Sequence, residues 1–373
     1  MRLLFISNGH GEDSMAREMI ARLPGSVTAH AYPTLGDGHA FAGVCDVVGP
    51  RAHIASEGWR TEGSIRADLK GGIVATFWPA LSFLRRARHD YDHVVVVGDL
   101  VGVGACFLSG IRGITWVDAY RTGHGRLYAA PERWLIKATC RRVFCRSEKL
   151  AKALAASGID ARAAGNVLID TVTYGDFDPQ PDRHRAQAIT LLPGSRKSAS
   201  ENFALQVSAL RQLPPDRRPD LFLALAPGLD PAALAEAADL TFDLAEASDL
   251  RLGHLSGDGF IIVVVRGATG NLIEAADIVL SQAGTATIQA LGLGKPVVSF
   301  RMSQERESRV KAESALFGDG RMMTEADPAA LATAVTALLN DPDEIRRRGA
   351  AGQARVGGPG AIEAILASVL DGS

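Results

Sequence analysis

Cysteine is scarce in this sequence. Four cysteines, Cys45, Cys106, Cys140 and Cys145, stand among 373 residues, and none forms a CxxC pair. That excludes a disulfide scaffold and leaves zinc or thiol-redox motifs without support, so buried small apolar residues are the reading. An excess of one charge is also absent. Forty basic and 42 acidic residues leave a net charge of -2, which weighs against a nucleic-acid binder held by electrostatics. Long apolar runs are missing as well. Nothing approaches the ~18–20 residues of a membrane span, and the most apolar stretch, Val94 to Val117, is broken by Asp99 and Arg112. The first apolar run, Leu3 to Ile6, is strand-length and ends in SNGHGED rather than in a secretory leader. The expectation is a cytoplasmic protein, with room for peripheral contact on the inner face of the cytoplasmic membrane.

What is present is ordinary globular material, 47% hydrophobic and 22% charged, in a chain long enough for two cores. Short buried runs such as HVVVV at 93–97 alternate with helical stretches, and that rhythm predicts doubly wound parallel α/β sheets. It pauses at YGDFDPQPDRHR, then restarts at Ala188. The expected organisation is an N-terminal Rossmann-like domain over 1–173, a linker over 174–187, and a second Rossmann-like domain over 188–355. A C-terminal helix within 356–373 is expected to pack back on the first domain. Ligands of such sheets sit beyond the carboxyl ends of strands, and a cleft is expected between the domains.

Four strand-end loops carry candidate chemistry. SNGHGEDS, residues 7–14, joins two glycines to His10, Glu12 and Asp13. Ser14 stands where a dinucleotide fingerprint needs its third glycine, and the acids would repel a pyrophosphate. These groups suit sugar hydroxyls or general-base work, although Asp13 or Ser14 also suits a helix cap. In VGDLVGVG, residues 97–104, Asp99 is placed either to accept a proton from an acceptor hydroxyl or to cap a helix. LLPGSRKSASEN, residues 191–202, presents Gly194, Ser195 and Arg196 as a phosphate contact without P-loop spacing. In LSQAGTATIQALGLGKPVV, residues 280–298, Gly284, Thr285, Ala286 and Thr287 open a helix whose N-terminus suits a diphosphate, with Gln289 placed for a ribose hydroxyl. The plain alternative for that segment is helix–sheet packing.

Other signals are weaker. Three D-x-D tripeptides, Asp90/Asp92, Asp176/Asp178 and Asp341/Asp343, follow no convincing strand in a nucleotide site, so no metal is expected. Residues 73–89 combine Phe77 and Trp78 with Arg85, Arg86 and Arg88. They read either as a core-facing helix with a charged end or as a face for an anionic bilayer or a lipid. His53, His124 and His184 have no partner at ligand spacing.

At the last two loops the sequence resembles lipid-A-disaccharide synthase and its related proteins, two-domain glycosyltransferases of the GT-B fold. LLPGSR matches the family's strand-end phosphate loop. GTAT followed by Gln289 is similar to its Gly-Thr-Ala-Thr-Leu-Glu, with glutamine for glutamate. AGNVLIDTV, residues 164–172, is similar to its Gly-His-Pro-Leu segment, with Asn166-Val167 in place of His-Pro. Gly98-Asp99 falls where the family carries an essential aspartate, and SNGHGED corresponds to its acidic first loop.

The resemblance implies an inverting, metal-independent transfer of a hexosamine-type sugar from a UDP-sugar to a hydroxyl of a lipid-linked or glycolipid acceptor. No cofactor and no nucleic acid are implied. Arg196 and the helix start at Gly284–Thr287 would stabilise the departing diphosphate, and Asp99 or His10 would serve as base. Two rivals share the fold: a UDP-sugar 2-epimerase, and a nucleotide-sugar-binding protein without catalysis. A dehydrogenase is disfavoured, since neither domain carries a dinucleotide fingerprint.

Overall fold

A computed structural model describes residues 1–51, 73–124, 126–195, 198–244, 250–301 and 307–371. The chain separates into two compact units, Met1–Thr171 with Gly360–Ser373, and Val172–Pro359.

In the first unit the strands are β1 (Arg2–Ser7), β2 (Thr28–Pro33), β3 (Asp46–Val47), β4 (His93–Gly98), β5 (Ile114–Asp118), β6 (Cys140–Cys145) and β7 (Ala161–Ala163). Between them run α1 (His10–Ala21), α2 (Ile73–Ala87), α3 (Leu100–Ser109), α4 (Ala130–Thr139), α5 (Glu148–Ala155) and α6 (Val167–Asp170). The sheet order is β3-β2-β1-β4-β5-β6-β7, and every pairing is parallel. Consecutive apolar residues form these strands because both faces are covered. Leu4, Ile6, Val94, Val96 and Trp116 enter one core. Leu3, Phe5, Val95 and Val97 enter the other, against Met15 and Met19 of α1.

The second unit repeats the plan. Its strands are β8 (Ala188–Leu192), β9 (Asp220–Ala224), β10 (Thr241–Leu244), β11 (Arg251–Gly257), β12 (Phe260–Val265), β13 (Ile278–Ser281), β14 (Val297–Arg301) and β15 (Arg321–Glu325). Its helices are α7 (Ala199–Arg211), α8 (Pro231–Ala237), α9 (Thr269–Ala275), α10 (Thr285–Gly292), α11 (Glu307–Phe317), α12 (Pro328–Leu339) and α13 (Pro342–Val356). The order is β10-β11-β12-β9-β8-β13-β14-β15. From β12 to β15 all pairs are parallel, whereas β10 and β11 join antiparallel at the edge. The second sheet is therefore mixed rather than wholly parallel. The β11–β12 turn has Asp258 at φ 51° and Gly259 at φ 74°, the left-handed pair of a tight hairpin.

Residues 174–187 are not a bare tether. They belong to the second unit, where Asn271 of α9 bonds the backbone of Gly175 and Phe177 and the Tyr174 hydroxyl donates to Glu274. The last helix, α14 (Ala361–Leu370), places Ile362, Ile365 and Val369 in a core of the first unit. Asp170 caps it, accepting from the backbone of Gly360 and Ile362 at 2.7 Å each.

Candidate functional site

In open α/β sheets the ligand crevice lies at the carboxyl edge, where the strand order reverses. That reversal falls between β1 and β4 in the first sheet and between β8 and β13 in the second. The four loops singled out in the sequence are the four that leave these strands.

At the first edge the two loops interlock through missing side chains. Gly9 precedes α1 with no side-chain cap, and Glu12 and Asp13 occupy the first turn, where the helix dipole favours acids. A Cβ on Gly9 would stand 2.8 Å from Glu12 Oε2. One on Gly98 would stand 2.2 Å from Asn8 Oδ1 and 3.2 Å from Glu12 Cγ. Gly98 also sits at φ 131°, a conformation that favours glycine. The Gly98 carbonyl accepts from Trp116 Nε1 at 3.1 Å and from the Ala119 amide at 3.4 Å, which fixes the strand end carrying Asp99.

The acids at this edge differ. Asp13 is 3% exposed and accepts the Ser7 hydroxyl at 2.5 Å, so it braces the loop from inside rather than facing a ligand. Glu12 is also buried. Asp99 is partly exposed while capping α3, accepting from the Val101 amide at 2.8 Å. Capping leaves one carboxylate oxygen for another partner. The side chain of His10 lies outside the described residues.

A further acid was not anticipated. Asp118, at the end of β5 and paired in register with Gly98, is fully buried. Burial pushes its carboxyl above the ordinary range, against the Tyr128 hydroxyl, the amides of Arg121 and Tyr120, and the charge of Arg146.

At the second edge β8 and β13 run side by side, with the Gln282 amide donating to the Leu192 carbonyl. Gly194, at φ 100°, would bring a Cβ within 3.5 Å of the Gln282 carbonyl, so the two loops lie against each other. Ser195 is exposed, and Arg196 lies outside the described residues. No side chain caps α10, and Gly284 and Thr285 are exposed at its start. Uncapped amides and the dipole's positive end make this terminus an anion site in the making. Ala286 follows on the first turn, partly buried.

Thr287 is different. Its hydroxyl meets Ser281 Oγ at 2.7 Å and donates to the Ala283 carbonyl at 2.6 Å, so its side chain holds the loop rather than facing a phosphate. Gln289 is 9% exposed, in the helix's second turn.

Sequence reasoning missed the supports of this edge. Asn202 and Gln206, one turn apart on α7, donate to the carbonyls of Pro193 and Leu280 and so hold the ends of β8 and β13. Gln282 bridges to both backbone groups of Phe300, and Ser299 donates to the Ser281 carbonyl.

Residues 73–89 form α2 and the turn after it. Leu81, Leu84 and Ala87 are buried, while Trp78 is 68% exposed and Arg85, Arg86 and Arg88 are exposed. The side chain of Phe77 and all of His53 lie outside the described residues. The D-x-D carboxylates have local duties. Asp92 accepts from the Arg2 amide, Asp178 from the Gln180 amide and Asp341 from the Glu344 amide, and Asp343 pairs with Arg346. Among the described residues no group of three or more His, Cys, Asp or Glu is arranged for a metal, and no helix is long and apolar enough to cross a membrane.

No family model matches the chain. It is 28% identical over 211 residues to a lipid-A-disaccharide synthase of Aromatoleum aromaticum, covering 50% of each chain. It is 32% identical over 197 residues to that of Alkalilimnicola ehrlichii, covering 44% of this chain and 47% of the relative. The chain thus spans about half the length of the curated relatives it matches. Among solved structures it superimposes on MurG of Acinetobacter baumannii with a TM-score of 0.62 at 16% identity, over 100% of this chain and 99% of that one. A UDP-GlcNAc 2-epimerase of Neisseria meningitidis bound to UDP-GlcNAc matches over 100% of both chains, with a TM-score of 0.59 at 15% identity. The fold is GT-B, and the chain is similar in sequence to lipid-A-disaccharide synthases.

Proposed function

We propose that this protein is a glycosyltransferase that moves a hexosamine-type sugar from a UDP-sugar to a hydroxyl of a lipid-linked or glycolipid acceptor. The observation that carries the reading is the contrast between the two switch-point edges. One holds a partly exposed carboxylate, and the other an uncapped helix start beside a glycine-bent loop. A donor sugar needs an anion site for its diphosphate, and an acceptor hydroxyl needs a base.

In this reading Asp99 takes the proton of the acceptor hydroxyl. The freed oxygen attacks the anomeric carbon as the bond to the diphosphate breaks, and that bond's electron pair leaves on UDP. The amides at Gly284–Ala286, with Arg196, Gly194 and Ser195, stabilise the charge gathering on the leaving group, so the step runs without a cation. Thr287 and Gln289 shape the loop beneath, Gln289 being the residue nearest in role to a ribose contact. The exposed Trp78, Arg85 and Arg86 of α2, with Arg88 just after it, meet an anionic membrane peripherally and bring the enzyme to its acceptor.

The test is UDP release from a UDP-N-acetylhexosamine in EDTA, with and without a glycolipid acceptor. Acceptor-dependent release, lost in Asp99→Asn but kept in His10→Gln, is the expected result. Release of epimerised sugar without acceptor would replace the reading with an epimerase. Binding without turnover would leave a nucleotide-sugar-binding protein.

A further inference from the structure

The carboxyl edge of the first sheet contains a buried charge pair that this chemistry leaves unused. Arg146 directly follows β6 and is 9% exposed. Its Nη1 donates to the Ala119 carbonyl at 2.7 Å. Nε and Nη2 are shielded from solvent and have no hydrogen-bond partner among the described residues. Beside it, Asp118 accepts from the Tyr120 and Arg121 amides at 3.0 and 3.1 Å and from the Tyr128 hydroxyl at 2.6 Å. Both residues line a partly open pocket with about 10 Å³ of room for water, beside Asn166, Gly165 and Ala361.

A guanidinium cannot shed its charge, so its free N–H groups must find acceptors. Left unmade, such bonds are costly, the more so when the group is charged. Cavities that stay empty are apolar, and a polar one of this size takes a single water. One water can meet two of the guanidinium's open donors and the open carboxylate site together. It can accept from Nε and Nη2 and donate to the one lone-pair site of Asp118 still open, since a carboxylate offers about four and three are taken. A halide would satisfy the nitrogens but would meet the Asp118 carboxylate in the same hole.

We propose that one water in this cavity bridges the Arg146 guanidinium to the Asp118 carboxylate, and that the bridge makes Arg146 a positioning residue for the 119–124 loop beside Asp99. The loop is tied at several points. The Ala119 amide bonds the Gly98 carbonyl, the Ala119 carbonyl receives Arg146, and the Ser147 hydroxyl donates to the Thr122 carbonyl. Between these ties stands Tyr120, 55% exposed, next to the loop of the base. The loop's role toward an acceptor rests on the glycosyltransferase reading, whereas the bridge itself does not.

The first test is a crystal structure of the full chain grown in bromide, at a resolution that shows waters. The expected result is one water-sized peak within hydrogen-bond distance of Arg146 and Asp118, without bromide's anomalous signal. An anomalous peak or an empty hole overturns the proposal. The second test is amide exchange at Tyr120 and Arg121, which should quicken at least tenfold in Arg146→Met while UDP affinity changes less than twofold. Arg146→Lys, which keeps the charge on a single nitrogen and serves if the methionine variant does not fold, should fall between. Unchanged exchange in both variants also overturns it. In turnover, Arg146→Met should lower kcat/KM for the acceptor about tenfold and leave donor KM alone. If the protein proves not to be a glycosyltransferase, the crystallographic and exchange results still decide the bridge.

Discussion

Replacing Gly98 with alanine should damage the first edge and little else. Two costs add at this position. An L-residue at φ 131° is strained by about 1–2 kcal/mol, judged from the left-handed penalty. The new Cβ would stand 2.2 Å from Asn8 Oδ1 and 3.2 Å from Glu12 Cγ, and overpacking of that kind costs about 1–3 kcal/mol. Together they predict a loss of about 2–5 kcal/mol for the first unit. Trp116 reports on the change directly, because it is fully buried and its indole donates to the Gly98 carbonyl. The assay is a urea melt followed by tryptophan emission, with Gly104→Ala as control. Gly104 lies in α3 with nothing within 4 Å of its would-be Cβ, so alanine there should stabilise by about 0.5–1 kcal/mol. UDP affinity, which the proposed function assigns to the second unit, should hold in both variants. A Gly98→Ala melt within 0.5 kcal/mol of the parent, on the scale of ordinary surface substitutions, would refute the interlock.

Asn202→Ala should lengthen the reach of the β8 loop and raise the Kd for UDP several-fold. One buried hydrogen bond is worth about 1 kcal/mol, and calorimetry reads the change. Unaltered affinity would remove Asn202 as a support of the donor edge. Glu132 is held below the ordinary carboxylate value of 4.5, first by the Arg121 hydrogen bonds and then by the Ala129 amide. A depressed folded value contributes stability above the unfolded pKa and loses it as pH falls through the folded one. Glu132→Gln should therefore cost about 0.5–1 kcal/mol at neutral pH, discounted because the pair is partly exposed, and progressively less as pH falls from about 4.5 toward 2. Thermal melts across that range would expose a pH-independent difference as a contradiction. Reversing the charges of Arg85, Arg86 and Arg88 should weaken co-sedimentation with anionic vesicles on the order of 100-fold, at about 1 kcal/mol per basic residue. An unchanged bound fraction would take the membrane face off α2.

The strand-end loops were legible because buried apolar runs stopping at glycine are strong local signals, and Gly98 and Gly194 do adopt backbone that favours glycine. The hairpin of β11 and β12 was legible too. Ser256-Gly257-Asp258-Gly259 carries the Asp-Gly pair of a tight turn, but the alternating helix–strand rhythm drew the reading toward parallel strands. Asn202 and Gln206 looked like ordinary helix polars. Their spacing puts them on one face with Phe203 and Val207, and a polar pair on a buried face is the clue that something beneath needs donors. Asp118 and Arg146 gave no local signal at all, because neighbouring strands bring them together and each reads alone as a strand end. Asp13 and Thr287 were chosen by residue type, and the structure turns both side chains inward to Ser7 and Ser281.

The glycosyltransferase reading requires that the β8–β13 edge of the second unit bind a uridine diphosphate without a metal ion. The measurement that tests it most directly is calorimetric titration of the full chain with UDP in EDTA, in the parent and in Arg196→Ala. One binding event is expected in the parent, lost or weakened at least tenfold in the variant. A folded parent that gives no heat with UDP, or a variant that binds as the parent does, would contradict it.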